Sequence, residues 1–382
     1  MTLPAGKRVV VSEFGETPLE ALEKHLALVD QPAPDPASLA PTDVVVAVKS
    51  TAVGWVDLLM TSGQYQHMAK LPYTPGLEYS GTVAAIGSAV DRLSVGDPVI
   101  ADGFLTGPRS AGAHRQYGGF ATWAIAPQKA LLPLPGTLSF DQGCCLLGNY
   151  ETAWHCLVAR GRLQAGETVL IHGASGSTGL AAVHVAKRMG AEVIATGRNP
   201  DKLAIVKAQG ADHVVVCQGT EGAGGGPRFR DEVKALTGGK GVDLVYDGVG
   251  GAISLESLRC VSFGARFVIV GWASTPFVAK GKGQRGAPNA NHLPTNLIMM
   301  KGIDVLGSPT IISTVMDPSI RTARLATLLD WVENGHIQPY IAKSYSLGEF
   351  KVAMKAKWTS EHVGGCVIHP GDPGQAPTVT IL

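Results

Sequence analysis

No apolar run in the sequence approaches the length of a bilayer span, so no membrane-crossing helix is expected within it. Neither sign of charge is in excess. Lys and Arg number 32 against 31 Asp and Glu, a formal net charge of +1, which offers no broad electrostatic footprint for nucleic acid or an anionic membrane. The opening MTLPAGKRVVVSEFGE lacks the apolar core of a signal peptide, and the expected compartment is the cytosol. No C-x-x-C occurs. The six cysteines, at 144, 145, 156, 217, 260 and 366, form no regular framework and read as reduced thiols packed as small hydrophobes. Cys144 and Cys145 are neighbours, and a bridge between them would be strained.

The chain has 382 residues, 45% hydrophobic and 16% charged, which fits a globular protein of two domains. Up to about residue 140, β-branched runs are broken by Gly and Pro: KRVVVSEF, DVVVAVKS, YSGTVAAIG, GDPVIADG and FATWAIA. These read as short strands joined by tight turns. From about 143, apolar strands alternate with helical segments. The strands are TVLIHG, EVIATG, HVVVC, VDLVYDGV and RFVIVGW, and the helices include 179–189, 200–209 and 229–236. Such alternation predicts βαβ units around a parallel sheet. A sixth strand is expected at 303–308, then an amphipathic helix ending near Gly335. YIAKSYSL and GGCVIHP read as strands returning to the first domain.

Two loops stand out. GTEGAGGGPRF (219–229) reads as a flexible surface excursion. STPFVAKGKGQRGAPNANHLP (274–294) carries Lys280, Lys282 and Arg285 among glycines. It is either a solvated loop or a border of the active site, because it follows the end of the fifth strand, where doubly wound sheets place ligands. As a border it would attract an anionic acceptor.

In ETVLIHGASGSTGLAAVHVAKRMG, a strand enters a turn with Gly173, Gly176 and Gly179, and a helix follows at once. Missing Cβ atoms let backbone N–H groups approach an anion, and the helix N-terminus adds positive potential. The turn is therefore expected to seat a pyrophosphate on residues 173–179, with Ala174, Ser175, Ser177 and Thr178 between the glycines. The next strand ends at Gly197, followed by Arg198 and, one helical turn on, Lys202. An acidic residue there would bind the ribose 2′-hydroxyl of NAD and repel a 2′-phosphate. Gly leaves room and Arg forms charge-assisted hydrogen bonds to the phosphate, so NADP(H) is the expected cofactor.

Order and spacing along almost the whole chain resemble the medium-chain dehydrogenase/reductase superfamily, in its zinc-free quinone oxidoreductase (zeta-crystallin-like) branch. The matching stretches include SGQYQHMAKLPYTPGLEYSGTVAAIG, VGDPVI, GGFATWAIAP, NYETAWHCL, the glycine-turn segment, GKGVDLVYDGVGG and LPTNLIMMKGIDVLGS. The resemblance implies an α/β protein: a β-rich GroES-like domain (1–142), a Rossmann domain with a doubly wound parallel sheet (143–312), and a segment returning to the catalytic domain (313–382). It also implies a homodimer.

In zinc-dependent relatives a Cys ligand and a His ligand fall where this chain has Gly54 and Leu77. No metal is expected, and the eleven histidines, His67, His114 and His292 among them, read as surface or locally hydrogen-bonded groups. Tyr65 matches a tyrosine near the nicotinamide and the substrate, and is the candidate catalytic residue. Structural use of the same side chain is the competing reading. Many members of the branch carry Asn at the position of Gly54, and often Tyr at that of Cys217. Trp55 would shape a flat acceptor pocket or belong to the core. By the same matching, Thr152, Gly248, Val249, Val270, Gly271, Trp272 and Asn296 join the cofactor positions, while Asp57 and Asp97 hold turns or strand ends. The implied activity is an NADPH-dependent reductase passing hydride to a small-molecule acceptor, a quinone in the first instance. An enone or enoyl thioester, or a non-catalytic crystallin-like role, is the alternative.

Overall fold

The computed structural model describes residues 3–110, 114–217, 227–275 and 278–371. Fifteen strands run along these residues: β1 (Gly6–Val11), β2 (Leu26–Gln31), β3 (Asp43–Ala52), β4 (Tyr79–Ile86), β5 (Pro98–Ala101), β6 (Trp123–Pro127), β7 (Leu131–Pro133), β8 (Thr168–Ile171), β9 (Glu192–Gly197), β10 (His213–Val216), β11 (Val242–Asp247), β12 (Val261–Ile269), β13 (Asp304–Gly307), β14 (Ile341–Ser346) and β15 (Gly365–His369). They belong to two compact units. The first comprises 1–148, 279–285 and 338–382; the second comprises 149–278 and 286–337.

The first unit is β-rich. Six of its strands lie in the order β14-β15-β3-β4-β5-β7, β6 pairs with β3, and β1 and β2 form a separate ribbon. β3 is the hub, antiparallel to β4, β6 and β15. It is buried at every position but Lys49, as a strand covered on both faces should be. The C-terminal strand β15 is thus an interior member of the sheet, joined to β3 through Val367–Ala52 and Ile368–Thr51.

The second unit is a six-stranded sheet in the order β10-β9-β8-β11-β12-β13, every pair parallel. That is the doubly wound Rossmann order, whose reversal falls between β8 and β11, where ligands bind at the carboxyl ends of the strands. β8 and β11 are short apolar runs, buried except at Thr168 and Asp243, which explains why they read as continuous rather than alternating hydrophobics.

Two departures from the sequence reading concern which unit a segment packs with. Helix Ser319–Glu333 belongs to the second unit rather than the first. It is tied there by Arg324, wholly buried and bonded to Glu151. Residues 279–285 leave the Rossmann part of the chain and belong to the first unit. Of the Gly-rich excursion at 219–229, residues 219–226 lie outside the described residues.

Candidate functional site

The glycine turn has the geometry its spacing predicts. Gly173 takes φ +64°, a left-handed conformation that other side chains rarely adopt. Gly176 then donates its N–H to the Gly173 carbonyl at 2.9 Å and caps helix Ser177–Arg188. A Cβ on Gly179 would sit 2.2 Å from the Gly173 oxygen, so only glycine lets the first helical turn close on the loop. Gly173 and Gly176 are exposed, and Ser175, Ser177 and Thr178 are half-buried. Ala174 is fully buried with its N–H on the Thr196 carbonyl, so it shapes the turn rather than facing outward. The Thr178 hydroxyl donates to Asn149 Oδ1 at 2.9 Å.

Beside this turn, β9 delivers Gly197 and the exposed Arg198. Among the described residues Arg198 makes no ion pair or hydrogen bond through its guanidinium. Asn199 caps the next helix, Pro200–Ala208, by accepting the Lys202 N–H at 3.1 Å, which sets the half-buried Lys202 one turn beyond Arg198. An open cradle of glycines with a free guanidinium at the adjacent strand tip fits a phosphorylated dinucleotide.

The tips of β11 and β12 are drawn together by Asp247, which sequence reasoning did not single out. Its carboxylate is buried and accepts the N–H groups of Val249 and Gly250, each at 2.9 Å. Its carbonyl accepts those of Val270 (2.8 Å) and Gly271 (3.2 Å). One residue thereby binds three of the expected cofactor positions, Val249, Val270 and Gly271, and precedes a fourth, Gly248. A Cβ on Gly173 would lie 3.4 Å from Val249, so the glycine turn adjoins them. Trp272 follows, 46% exposed. Asn296 is exposed on helix Thr295–Lys301 and bonds to none of these residues.

Thr152 is half-buried on helix Leu147–Trp154. Its neighbour Glu151 is fully buried and held by Arg321 Nη2 at 2.6 Å and Arg324 Nη2 at 2.8 Å. A carboxylate accepting two guanidinium forks is satisfied without water, and the helix carrying Thr152 is pinned. Just after β8, His172 bridges Thr196 and Ser257 with both ring nitrogens at 2.7 Å. Burial pushes it down to about 4, so it is neutral at pH 7.

In the first unit Tyr65 follows helix Trp55–Thr61 and packs half-buried on the core formed around Leu58, Met60 and Phe120. Burial raises its hydroxyl above the usual tyrosine range, and the Arg109 guanidinium beside it opposes that shift. Arg109 lies over the Phe104 ring at 5.2 Å, with Nη2 buried and lacking a hydrogen-bond partner among the described residues. Nothing in the sequence pattern pointed to Arg109. The His67 ring stands 5.9 Å from that of Tyr65. Its Nε2 is likewise buried without a partner among the described residues, whereas His114 bonds Asp43 at 3.0 Å.

Gly54 and Leu77 offer no ligating atom, and residues at these two positions do not fit a zinc ion. Among the described residues no group of three or more His, Cys, Asp or Glu could hold a metal. Instead, Asp57 draws the two positions together. It accepts the N–H of Gly54 at 3.0 Å through one oxygen, and those of Gly76 (2.9 Å) and Leu77 (3.1 Å) through the other. Burial pushes Asp57 up to about 6, against the pull of those three bonds and of Arg109. Trp55 stacks on Trp358, ring centroids 4.7 Å apart and 6° from parallel, which makes it a helix-to-helix contact within this unit. Asp97 holds a turn through the Ser94 N–H at 2.8 Å. In the basic loop, Lys282 pairs with Glu16 at 2.9 Å, so its charge is already engaged.

These two folds and their glycine turn match known proteins. Residues 40–136 match the alcohol dehydrogenase GroES-like domain family, and residues 177–324 match the zinc-binding dehydrogenase family. The chain belongs to the medium-chain dehydrogenase/reductase superfamily, in its quinone oxidoreductase branch, and is an oxidoreductase of that group. A quinone oxidoreductase-like protein 2 homolog of Nematostella vectensis is 31% identical over 334 residues, covering 87% of this chain and 83% of that protein. A probable oxidoreductase from Mycobacterium abscessus has a similar solved structure, with TM-score 0.76, 27% identity and coverage of 96% and 99% of the two chains. A mycobacterial protein solved in complex with NADPH aligns with TM-score 0.73 at 26% identity, covering 95% of this chain and 99% of its own. Among the described residues, no helix is long and apolar enough to cross a membrane.

Proposed function

We propose that the protein is a cytosolic, zinc-independent reductase that uses NADPH to reduce a conjugated carbonyl acceptor, a quinone first among them. The observation that carries the cofactor reading is Arg198, without a guanidinium partner among the described residues, at the tip of β9, next to Gly197 and one strand from the glycine turn. The exposed Gly173 and Gly176 and the helix N-terminus suit a pyrophosphate, and Arg198 with Lys202 suits a 2′-phosphate. The mycobacterial relative solved in complex with NADPH supports the same choice. When bound, the reduced nicotinamide supplies a hydride.

The chain's own part is position and charge. Tyr65 donates a hydrogen bond to the acceptor oxygen, which gains negative charge as the adjoining conjugated system takes up hydride. Burial raises that phenol above its usual range, and Arg109 beside it offsets part of the rise. A proton from solvent completes the reduction. The absence of a ligand atom at positions 54 and 77, and Asp57 binding both backbones there, support a reaction without zinc.

We further propose that two copies pair through β13. It is the edge strand of the second sheet, and apolar side chains nearby are open: Met299, Met300, Val315 and Met316 are 67–80% exposed.

The test of the activity is anaerobic mixing with NADPH or NADH and a panel of quinones, enones and enoyl thioesters, followed at the nicotinamide absorbance. Turnover of quinones with NADPH preferred is expected. Preference for an enoyl thioester would move the acceptor assignment, and no acceptor above background would overturn the enzyme reading.

A further inference from the structure

We propose that residues 279–285 form a strap that positions Tyr65, acting through Gln64; this rests on the reading of Tyr65 as the donor to the acceptor. Tyr65 sits on an irregular stretch after helix Trp55–Thr61. A hydroxyl that must meet a reacting oxygen needs its backbone fixed, and a loop does not fix it unaided. The strap supplies the missing support on both sides of Gly63. The Lys282 N–H donates to the Ser62 carbonyl at 2.8 Å. The Gln64 side chain donates from Nε2 to the Ala279 carbonyl at 2.8 Å and accepts the Ser62 hydroxyl at Oε1, 2.9 Å. Gln64 is adjacent to Tyr65, and both ends of its amide are engaged.

The strap is seated closely. A Cβ on Gly281 would lie 2.4 to 2.6 Å from backbone atoms of Glu16, and one on Gly63 would lie 2.9 Å from the Gly283 nitrogen. Met68 touches the sites of both Gly63 and Gly283. The strap closes on itself through the Lys280 N–H to the Gln284 carbonyl at 3.0 Å and a bridge between Ala279 and Arg285. The pairing of Lys282 with Glu16 clips its outer side. A solvated loop needs none of these contacts. Here the chain leaves the Rossmann unit, docks seven residues on the turn that carries Tyr65, and returns.

The experiment uses the full chain with two substitutions. Gly281→Val undocks the strap by steric conflict, and Gln64→Leu cuts its side-chain tie. Both should lower kcat for quinone reduction by roughly tenfold or more, with NADPH affinity and Tm near wild type. Trypsin should cleave after Lys280, Lys282 or Arg285 faster in Gly281→Val. The deciding readout is a double-mutant cycle: in a Tyr65→Phe background neither change should cost further activity. Fully additive losses, or wild-type kcat in a Gly281→Val protein that trypsin shows to be undocked, would overturn the strap's role. If Gly281→Val does not fold, the cycle with Gln64→Leu decides alone. A wild-type enzyme that reduces no acceptor overturns the reductase reading itself, and the strap's role falls with it.

Discussion

Arg198→Asp puts a carboxylate where the proposed 2′-phosphate is gripped. NADPH should then bind ~10- to 100-fold more weakly, the worth of one or two charge-assisted hydrogen bonds, while NADH is unaffected or gains. Titration calorimetry with both dinucleotides checks this, and an unchanged preference would remove Arg198 from the site. His172 makes a different residue-scale prediction. Its folded value near 4 lies below the ordinary 6.5, so the unfolded chain binds more protons between those limits. The stability it contributes is therefore complete above pH 6.5 and is lost as pH falls toward 4, at most about 3 kcal/mol. Gln in its place keeps a donor and an acceptor without titrating, so His172→Gln should flatten part of the loss seen by urea unfolding between pH 7 and 4. His155, also pushed down to about 4 by burial, leaves a residual slope of the same sign. Asp57, pushed up to about 6, works the other way: its carboxylate becomes costlier to bury as pH rises from about 4 to 6.

Elements whose identity depends on local pattern were legible. β8 to β13 appear at the expected runs, and β8, β9 and β11, buried along most of their length, need continuous apolar residues whatever surrounds them. The glycine turn was legible because a positive φ at Gly173 and a helix closing on Gly179 tolerate no other residue. Contacts between distant segments were not. Asp247 gathers the strand tips through its own backbone and carboxylate, and an acid after an apolar run carries no mark of that use. The segment carrying Arg321 and Arg324 reads only as an amphipathic helix, yet Arg324 is wholly buried on Glu151, some 170 residues earlier in the chain. The basic loop drew attention for its charge, whereas its glycines do more: Gly281 permits backbone contact with Glu16 that no side chain would allow.

At the scale of the molecule, the open apolar side chains around β13 call for a cover. Val315→Glu combined with Met316→Lys should turn a dimer into a monomer by size-exclusion chromatography, with NADPH binding retained; a wild-type chain eluting at monomer mass would remove the pairing. The first unit has a second global property, since its sheet is completed by β15, whose Cys366 accepts the N–H of Val53, the residue just after β3 and 313 positions earlier, at 3.0 Å. During synthesis the Rossmann unit emerges whole while its predecessor still lacks an interior strand. The earlier-made half must therefore wait, with Thr51 and Ala52 of β3 lacking their β15 partners, until that strand has been made.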